Sequence, residues 1–159
     1  MSKVRLFLAV AMFALVGLGA ESNAQTKPAK GGPVVEVALA GTDAMQFDKK
    51  EIKVKAGSTV KLTLKHTGKL AKAAMGHNFV LLAQGTDVAS FGAKAAQSRD
   101  NEYIPTDKDL AAKILAHSSL VGGGESTTVE FKAPKKGTYT YICSFPGHYA
   151  LMQGKLIVE

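Results

Sequence analysis

Residues 138–159 read TYTYICSFPGHYALMQGKLIVE, and this C-terminal stretch carries the strongest fold signal in the chain. Its first part alternates, so that Tyr139, Tyr141 and Cys143 lie on one face of a predicted strand. Pro146-Gly147 then predicts a turn, and an apolar run closes the chain. The stretch therefore predicts two neighbouring strands joined by a short loop.

The same strand signals recur upstream. In Thr59–His66 (TVKLTLKH), apolar and polar residues alternate with a period of two, which places Val60, Leu62 and Leu64 on one face. The other predicted strands are Val34–Leu39, Ile52–Val54, Asn78–Leu82, Thr127–Lys132, Thr138–Ser144 and Leu156–Val158. Seven or eight short strands separated by Gly/Pro turns predict an all-β protein with a Greek-key β-sandwich.

The middle of the chain has a different pattern. Thr86–Gln97 is rich in alanine, and Thr106 with Asp109 resembles an N-terminal cap before the run Leu110–Leu115. We expect one or two short helices here, inserted between strands of the sandwich.

The N-terminus has the three parts of a secretory signal. Lys3 and Arg5 precede the apolar stretch Leu6–Leu18, and Ser22-Asn23-Ala24 offers small residues at a cleavage site. We expect residues 1–24 to be a signal peptide, residues 25–33 a flexible basic tail and residues 34–159 the folded domain. Export would place the domain in an oxidising compartment.

Composition excludes several classes of protein. A chain of 159 residues suits one domain, and no apolar run reaches the length of a membrane-spanning helix. One cysteine excludes an intramolecular disulfide and a zinc site built on several thiolates. The formal charge is +7, but its lysines are spread along strand faces without interleaved aromatic residues, so we predict no nucleic-acid binding. The lack of a long apolar run likewise predicts no membrane insertion.

The chemistry-bearing residues form a Cys-x4-His-x3-Met arrangement at Cys143, His148 and Met152, with a second imidazole at His77. Two nitrogens, one thiolate and a thioether suit a soft, redox-active ion. Zinc also accepts two histidines and a cysteine, but a thioether adds little for zinc, so copper is favoured. Iron–sulfur clusters need more cysteines. We interpret His66 as a core-facing histidine.

With these motifs the chain resembles the azurins, a family of small periplasmic cupredoxins that carry blue copper, over about residues 34–159. The similar stretches are Met45–Phe47, Met75–Asn78, Ile114–His117 and Tyr139–Gly154. The resemblance implies a cupredoxin-like sandwich with one type 1 copper per chain. It implies His77, Cys143 and His148 as strong ligands, Met152 as a weak axial ligand and the carbonyl of Gly76 opposite it. Asn78 would link the two ligand loops by hydrogen bonds.

The resemblance also implies a docking patch around a partly exposed His148. The candidate patch residues are Met45, Leu70, Met75, Pro146, Gly147, Ala150 and Leu151. Transient redox partners, such as c-type cytochromes or periplasmic reductases and dehydrogenases, would dock there, and the protein would be a monomer. The expected function is one-electron transfer between Cu(I) and Cu(II) in the periplasm, without enzymatic turnover; the alternative is copper buffering or delivery.

The sequence departs from the azurin pattern in three places. The family's N-terminal disulfide is replaced by Val35 and Gly57, Phe79 follows the Gly-His-Asn motif in a chain without tryptophan, and Ile142 precedes the cysteine where an aromatic residue is common. None of these departures removes a predicted ligand.

Overall fold

A computed structural model of the protein describes residues 32–159. The predicted signal peptide and most of the predicted tail lie outside these residues, and their assignment stays a prediction. Within residues 32–159 the strands are β1 (Val34–Thr42), β2 (Gln46–Phe47), β3 (Glu51–Val54), β4 (Thr59–His66), β5 (Val80–Leu82), β6 (Ile114–His117), β7 (Ser126–Lys132), β8 (Gly137–Ile142) and β9 (Gln153–Val158). The helices are α1 (Lys72–Met75), α2 (Val88–Ala95) and α3 (Lys108–Ala111), with 3₁₀ turns at Arg99–Asn101 and His148–Ala150.

The strands form two sheets that face each other. One has the order β2-β1-β4-β7 and the other β3-β9-β8-β5-β6. Strand β4 pairs parallel with β1 and antiparallel with β7, so Leu62 lies between Val37 and Val129. The predicted all-β Greek-key sandwich is confirmed, with the helices confined to the connections.

Alternation along the strands builds the core between the sheets. Val60, Leu62 and Leu64 of β4 are buried, whereas Lys61 and Lys65 between them are exposed. Burying a side chain of this kind stabilises the fold by roughly 1.5–3 kcal/mol relative to leaving it in water. The predicted apolar face of β4 is therefore the face that packs against the opposite sheet.

A second, smaller apolar cluster lies outside this core, under α2. Its buried members are Val80, Leu82, Phe91, Ala95, Ile104 and Ile142, and Tyr149 is among the half-buried residues packed against it. The two clusters meet along β5 and β8, because alternate residues of these strands point to opposite faces. The strand ends that carry the predicted ligands therefore lie between two packed layers.

The helical region differs from the sequence prediction in its second half. Helix α2 lies within the Ala-rich segment as expected, but α3 ends at Ala111, and Ile114–His117 is a strand paired with β5. The cap of α3 is Asp107, not Thr106, because the Asp107 carboxylate accepts from the N–H groups of Asp109 and Leu110. Among the described residues, no helix is long and apolar enough to cross a membrane.

Candidate metal centre

Two loops at one end of the sandwich bring the predicted ligands together. His77 and Asn78 lie just before β5, and Cys143 directly follows β8. The 3₁₀ turn His148–Ala150 comes next, and Met152 directly precedes β9. Because β5, β8 and β9 are adjacent in one sheet, the residues that flank them meet at a single point.

Three ligand atoms converge at this point. The Cys143 Sγ lies 3.6 Å from His148 Nδ1 and 4.0 Å from His77 Nδ1. The ligand atoms of the three residues all lie within 4.8 Å of one another, and within the described part of the chain they form a group able to hold a metal ion. All three side chains are buried, with His148 the most accessible at 3%.

The His77 ring is fixed by two kinds of contact. Its Nε2 lies 2.9 Å from the Thr42 carbonyl oxygen, which can only accept, so Nε2 carries the proton and Nδ1 keeps its lone pair. The backbone of His77 exchanges two hydrogen bonds with Val121, at 2.9 and 2.8 Å. An outer hydrogen bond of this type sets the tautomer and the orientation of a metal-binding imidazole.

The loop that carries the other ligands is closed by its own backbone. The Met152 N–H donates to the His148 carbonyl at 2.7 Å, and the Cys143 N–H donates to the Met152 carbonyl at 2.9 Å. The His148 N–H in turn donates to the Phe145 carbonyl at 3.0 Å. These bonds fix the backbone from which the thiol, the imidazole and the thioether project.

Asn78 links the two ligand loops. Its Oδ1 accepts from the Ser144 backbone N–H at 2.9 Å, and its Nδ2 donates to Ser144 Oγ at 2.9 Å and to the Glu102 carbonyl at 3.1 Å. Ser144 Oγ lies 2.9 Å from the Tyr103 carbonyl and donates to it. Since Ser144 directly follows Cys143, this network holds the cysteine relative to the loop of His77. The resemblance implies this role for Asn78, whereas the local sequence gives no signal for Ser144.

The two predicted axial groups lie beside the triad. The carbonyl oxygen of Gly76 is 3.8 Å from Cys143 Sγ. Met152 is fully buried, and its Cε and the His77 ring both crowd Gly41, where an added Cβ would lie 2.8 Å from Met152 Cε. The thioether end of Met152 therefore packs against the same ligand ring. The ligand roles of Gly76 and Met152 stay predictions.

Burial determines the protonation of the metal-free site. Desolvation raises the pKa of Cys143 to about 12, opposed by the backbone N–H groups of Asn78 and Phe145. Desolvation, together with the nearby rings of His77 and His66, lowers the pKa of His148 to about 4. The pKa of His77 is also lowered, mainly by burial. At neutral pH both imidazoles are therefore neutral and able to bind, and metal binding must release the thiol proton.

His66 lies directly behind the site. Its ring stacks on His77 with centroids 4.1 Å apart, its Nδ1 accepts from the Gly68 N–H at 3.0 Å, and its Nε2 lies 2.9 Å from the Met75 carbonyl. Alternation along β4 predicts that His66 points into the core, and it does. The sequence gives no signal that His66 packs against the ligand His77, because a loop separates the two residues along the chain.

The predicted patch residues lie in the connections between strands, where Met75 is the last residue of α1 and Ala150 belongs to the 3₁₀ turn. Met45 and Met75 are half-buried, and the other five residues (Leu70, Pro146, Gly147, Ala150 and Leu151) are exposed. Leu151, at 57%, is more exposed than Leu70, the other large apolar side chain among these five. His148 differs from the expectation of a partly exposed ligand, because Phe145 packs against its ring with centroids 4.6 Å apart. The role of these residues in docking stays a prediction.

The donor set fits copper. One thiol, which would bind as the thiolate, and two neutral imidazoles converge, and no carboxylate joins this group within the described residues. A buried thioether lies beside them, so the site is soft and dry. His77, Cys143 and His148 would hold the ion. A two-sheet β-sandwich with a His2Cys site at one end defines the class of cupredoxins.

Known proteins similar to this chain are also copper proteins of this class. Residues 34–159 match the model of a family described as copper binding proteins, plastocyanin/azurin family. Azurin-1 of Alcaligenes xylosoxydans xylosoxydans is 46% identical over 124 residues, which cover 76% of this chain and 94% of that protein. The chain therefore belongs to the plastocyanin/azurin family of copper-binding proteins, as a variant with a single cysteine and no disulfide.

Solved structures are similar as well. Auracyanin A, described as a "blue" copper protein of Chloroflexus aurantiacus, has a TM-score of 0.70 and 39% identity, covering 79% of this chain and 99% of that one. An azurin from Methylomonas sp. strain J has a TM-score of 0.67 and 35% identity, with 78% of this chain and 97% of that one covered.

Proposed function

We propose that this protein is a mobile one-electron carrier. The observation that carries the proposal is the buried triad of His77, Cys143 and His148, whose donor atoms lie within 4.8 Å of one another. Copper bound there supplies a Cu(I)/Cu(II) couple.

The surroundings of the ligands favour fast electron exchange. His77 is fixed by Thr42 and Val121, and the loop from Cys143 to Met152 is closed by backbone hydrogen bonds. Ligands held in this way have little freedom to rearrange when the charge at the site changes. A small rearrangement lowers the barrier for electron transfer in both directions.

The burial of the ligands argues against the two rival functions. An enzyme must bring a substrate to the metal, but Cys143 and His77 are fully buried and His148 is 3% accessible. A copper-delivery protein must hand its ion to a partner, which requires ligands that a partner can reach. Electron transfer needs only close approach, so a buried site is compatible with it.

The partners we propose are redox proteins, such as c-type cytochromes or periplasmic reductases and dehydrogenases. They would bind the monomer transiently at the patch around His148, because contact through exposed apolar residues such as Leu151 brings the two redox centres close together. The predicted N-terminal signal peptide would direct export, so we place this exchange in the periplasm.

Electron self-exchange of copper-loaded protein tests the proposal. Leu151→Gln removes an exposed apolar side chain of the patch, and Val34→Gln makes the same kind of change at the far end of β1, where Val34 is 64% exposed. We expect Leu151→Gln to slow self-exchange several-fold and Val34→Gln to leave it unchanged. Slow exchange in the wild type, combined with rapid copper transfer to a chelator, would instead indicate a delivery protein.

A further inference from the structure

Helix α2 contacts the ligand loop through a glycine. Gly92 is buried, and a Cβ added there would overlap Cγ and Cδ1 of the Tyr149 ring and lie 2.8 Å from Cδ2. Tyr149 belongs to the 3₁₀ turn His148–Ala150, so the ring that fills this space follows directly after a ligand. Glycine is a poor helix former, which makes close packing the physical reason for its presence in α2.

The contact forms part of the second apolar cluster. Tyr149 packs against this cluster, whose buried members include Phe91 of α2 and Ile142 of β8. Ile142 directly precedes Cys143. The neighbours of two ligands are thus held by the layer under α2, whereas Cys143 itself belongs to the main core.

We propose that Gly92 and Tyr149 are positioning residues for the copper site. The ring of Tyr149 packs directly against the backbone of α2 at Gly92, where no side chain intervenes. This contact fixes the 3₁₀ turn and therefore the position of His148. The helical insertion then acts as a support for the ligand loop. The proposal rests on the copper site but does not depend on which partner exchanges electrons with it.

The central test is Gly92→Ala. In an exposed helix this change favours folding, but here the new methyl group must displace the Tyr149 ring and the turn with it. We expect the copper-loaded variant to show an altered charge-transfer spectrum and altered electron paramagnetic resonance parameters. We also expect copper release to a chelator to be about 10-fold faster, the effect typical of losing an outer support of a ligand.

Three further variants separate positioning from general damage. Tyr149→Phe keeps the ring and should retain the wild-type spectrum and release rate. Ala93→Ser adds one atom at the neighbouring exposed position of α2 and should also be silent. Tyr149→Ala removes the ring and should release copper several-fold faster; in this background Gly92→Ala should cause less than a twofold further change, because the clash is gone.

A wild-type spectrum and release rate in Gly92→Ala would overturn the proposal. The proposal would also be wrong if Gly92→Ala speeds copper release equally in the wild type and in Tyr149→Ala, since the alanine would then act through a contact other than the Tyr149 ring. If Gly92→Ala does not fold, unchanged copper release in Tyr149→Ala would refute the proposal. These measurements use copper and a chelator only, so failure of the electron-carrier proposal would not alter them.

Discussion

Replacing Asn78 with leucine should weaken both the fold and the copper site. The asparagine is fully buried and its amide bonds to the Ser144 N–H, to Ser144 Oγ and to the Glu102 carbonyl. Leucine has the same branched heavy-atom skeleton with bulkier methyl ends, so the change removes these bonds without opening a cavity. The Ser144 N–H is then buried without a partner, whereas Ser144 Oγ can still donate to the Tyr103 carbonyl.

The structure gives the size of the effect. An orphaned buried donor costs about 1–3 kcal/mol, and the lost bond to the half-buried Glu102 carbonyl adds about 0.5–1.5 kcal/mol. We therefore expect a loss of about 1.5–4.5 kcal/mol. For a domain of about 130 residues this lowers Tm by roughly 5–17 °C. Copper affinity should fall about 10- to 100-fold, because the network holds the residue next to Cys143.

Thermal unfolding of metal-free protein and copper release to a chelator measure the two effects separately. Asn101→Leu is a matched control, because exposed Asn101 donates one side-chain bond to the Ile104 carbonyl and should cost less than about 1.5 kcal/mol. If Asn78→Leu unfolds at the wild-type temperature, the hydrogen-bond reasoning is wrong. If it is less stable but releases copper at the wild-type rate, Asn78 supports the fold without holding the ligand loops.

Three other changes have defined outcomes. Gly41→Ala should speed copper release about 10-fold, since its Cβ would press on the His77 ring and Met152 Cε; wild-type release would contradict this contact. The free energy of urea unfolding of metal-free protein should fall as the pH falls from about 6.5 towards 4, because the pKa of His148 is lowered in the folded state and the unfolded chain binds the proton first. An equal loss of stability in His148→Gln would show that another group causes it. Leu62→Ala should cost about 2–5 kcal/mol in urea unfolding, because Leu62 is buried between the sheets, and a cost below 1 kcal/mol would refute this packing.

The sequence predicted a strand best where apolar and polar residues alternate over a long segment. Thr59–His66 has the predicted bounds, because alternation with a period of two has no helical interpretation. Ile114–His117 has no such advantage: its short apolar run follows a helix, and strand structure there depends on pairing with β5 across a bulge. Contacts with distant residues determine the secondary structure of such a segment, and these contacts cannot be inferred from the local sequence pattern.

The same limit applies to the site. His77, Cys143 and His148 could be proposed because thiol, imidazole and thioether are chemically distinctive and two of the ligands share one loop. Asn78 was implied by the resemblance, but the other supports could not be proposed, because hydroxyl, carbonyl and glycine groups occur everywhere in the sequence. Ser144 binds a residue 66 positions away, and Gly92 matters only because Tyr149 folds onto it.

The departure from the disulfide-bearing azurins is located away from the copper site. Val35 is half-buried against the main core, and Gly57 occupies a turn with a φ of +75°, which glycine adopts readily. Cys143, the single cysteine, is buried and unpaired. Its thiol is therefore available to a metal and inaccessible to oxidants in solvent.

A spectroelectrochemical titration of the purified, copper-loaded protein tests the central claim most directly. We predict an intense visible thiolate-to-copper charge-transfer band that disappears on addition of one electron per chain and returns on reoxidation. The band should be absent in Cys143→Ser. A colourless copper complex, or a Cys143→Ser variant with the wild-type spectrum and copper affinity, would contradict the assignment of Cys143 to the metal.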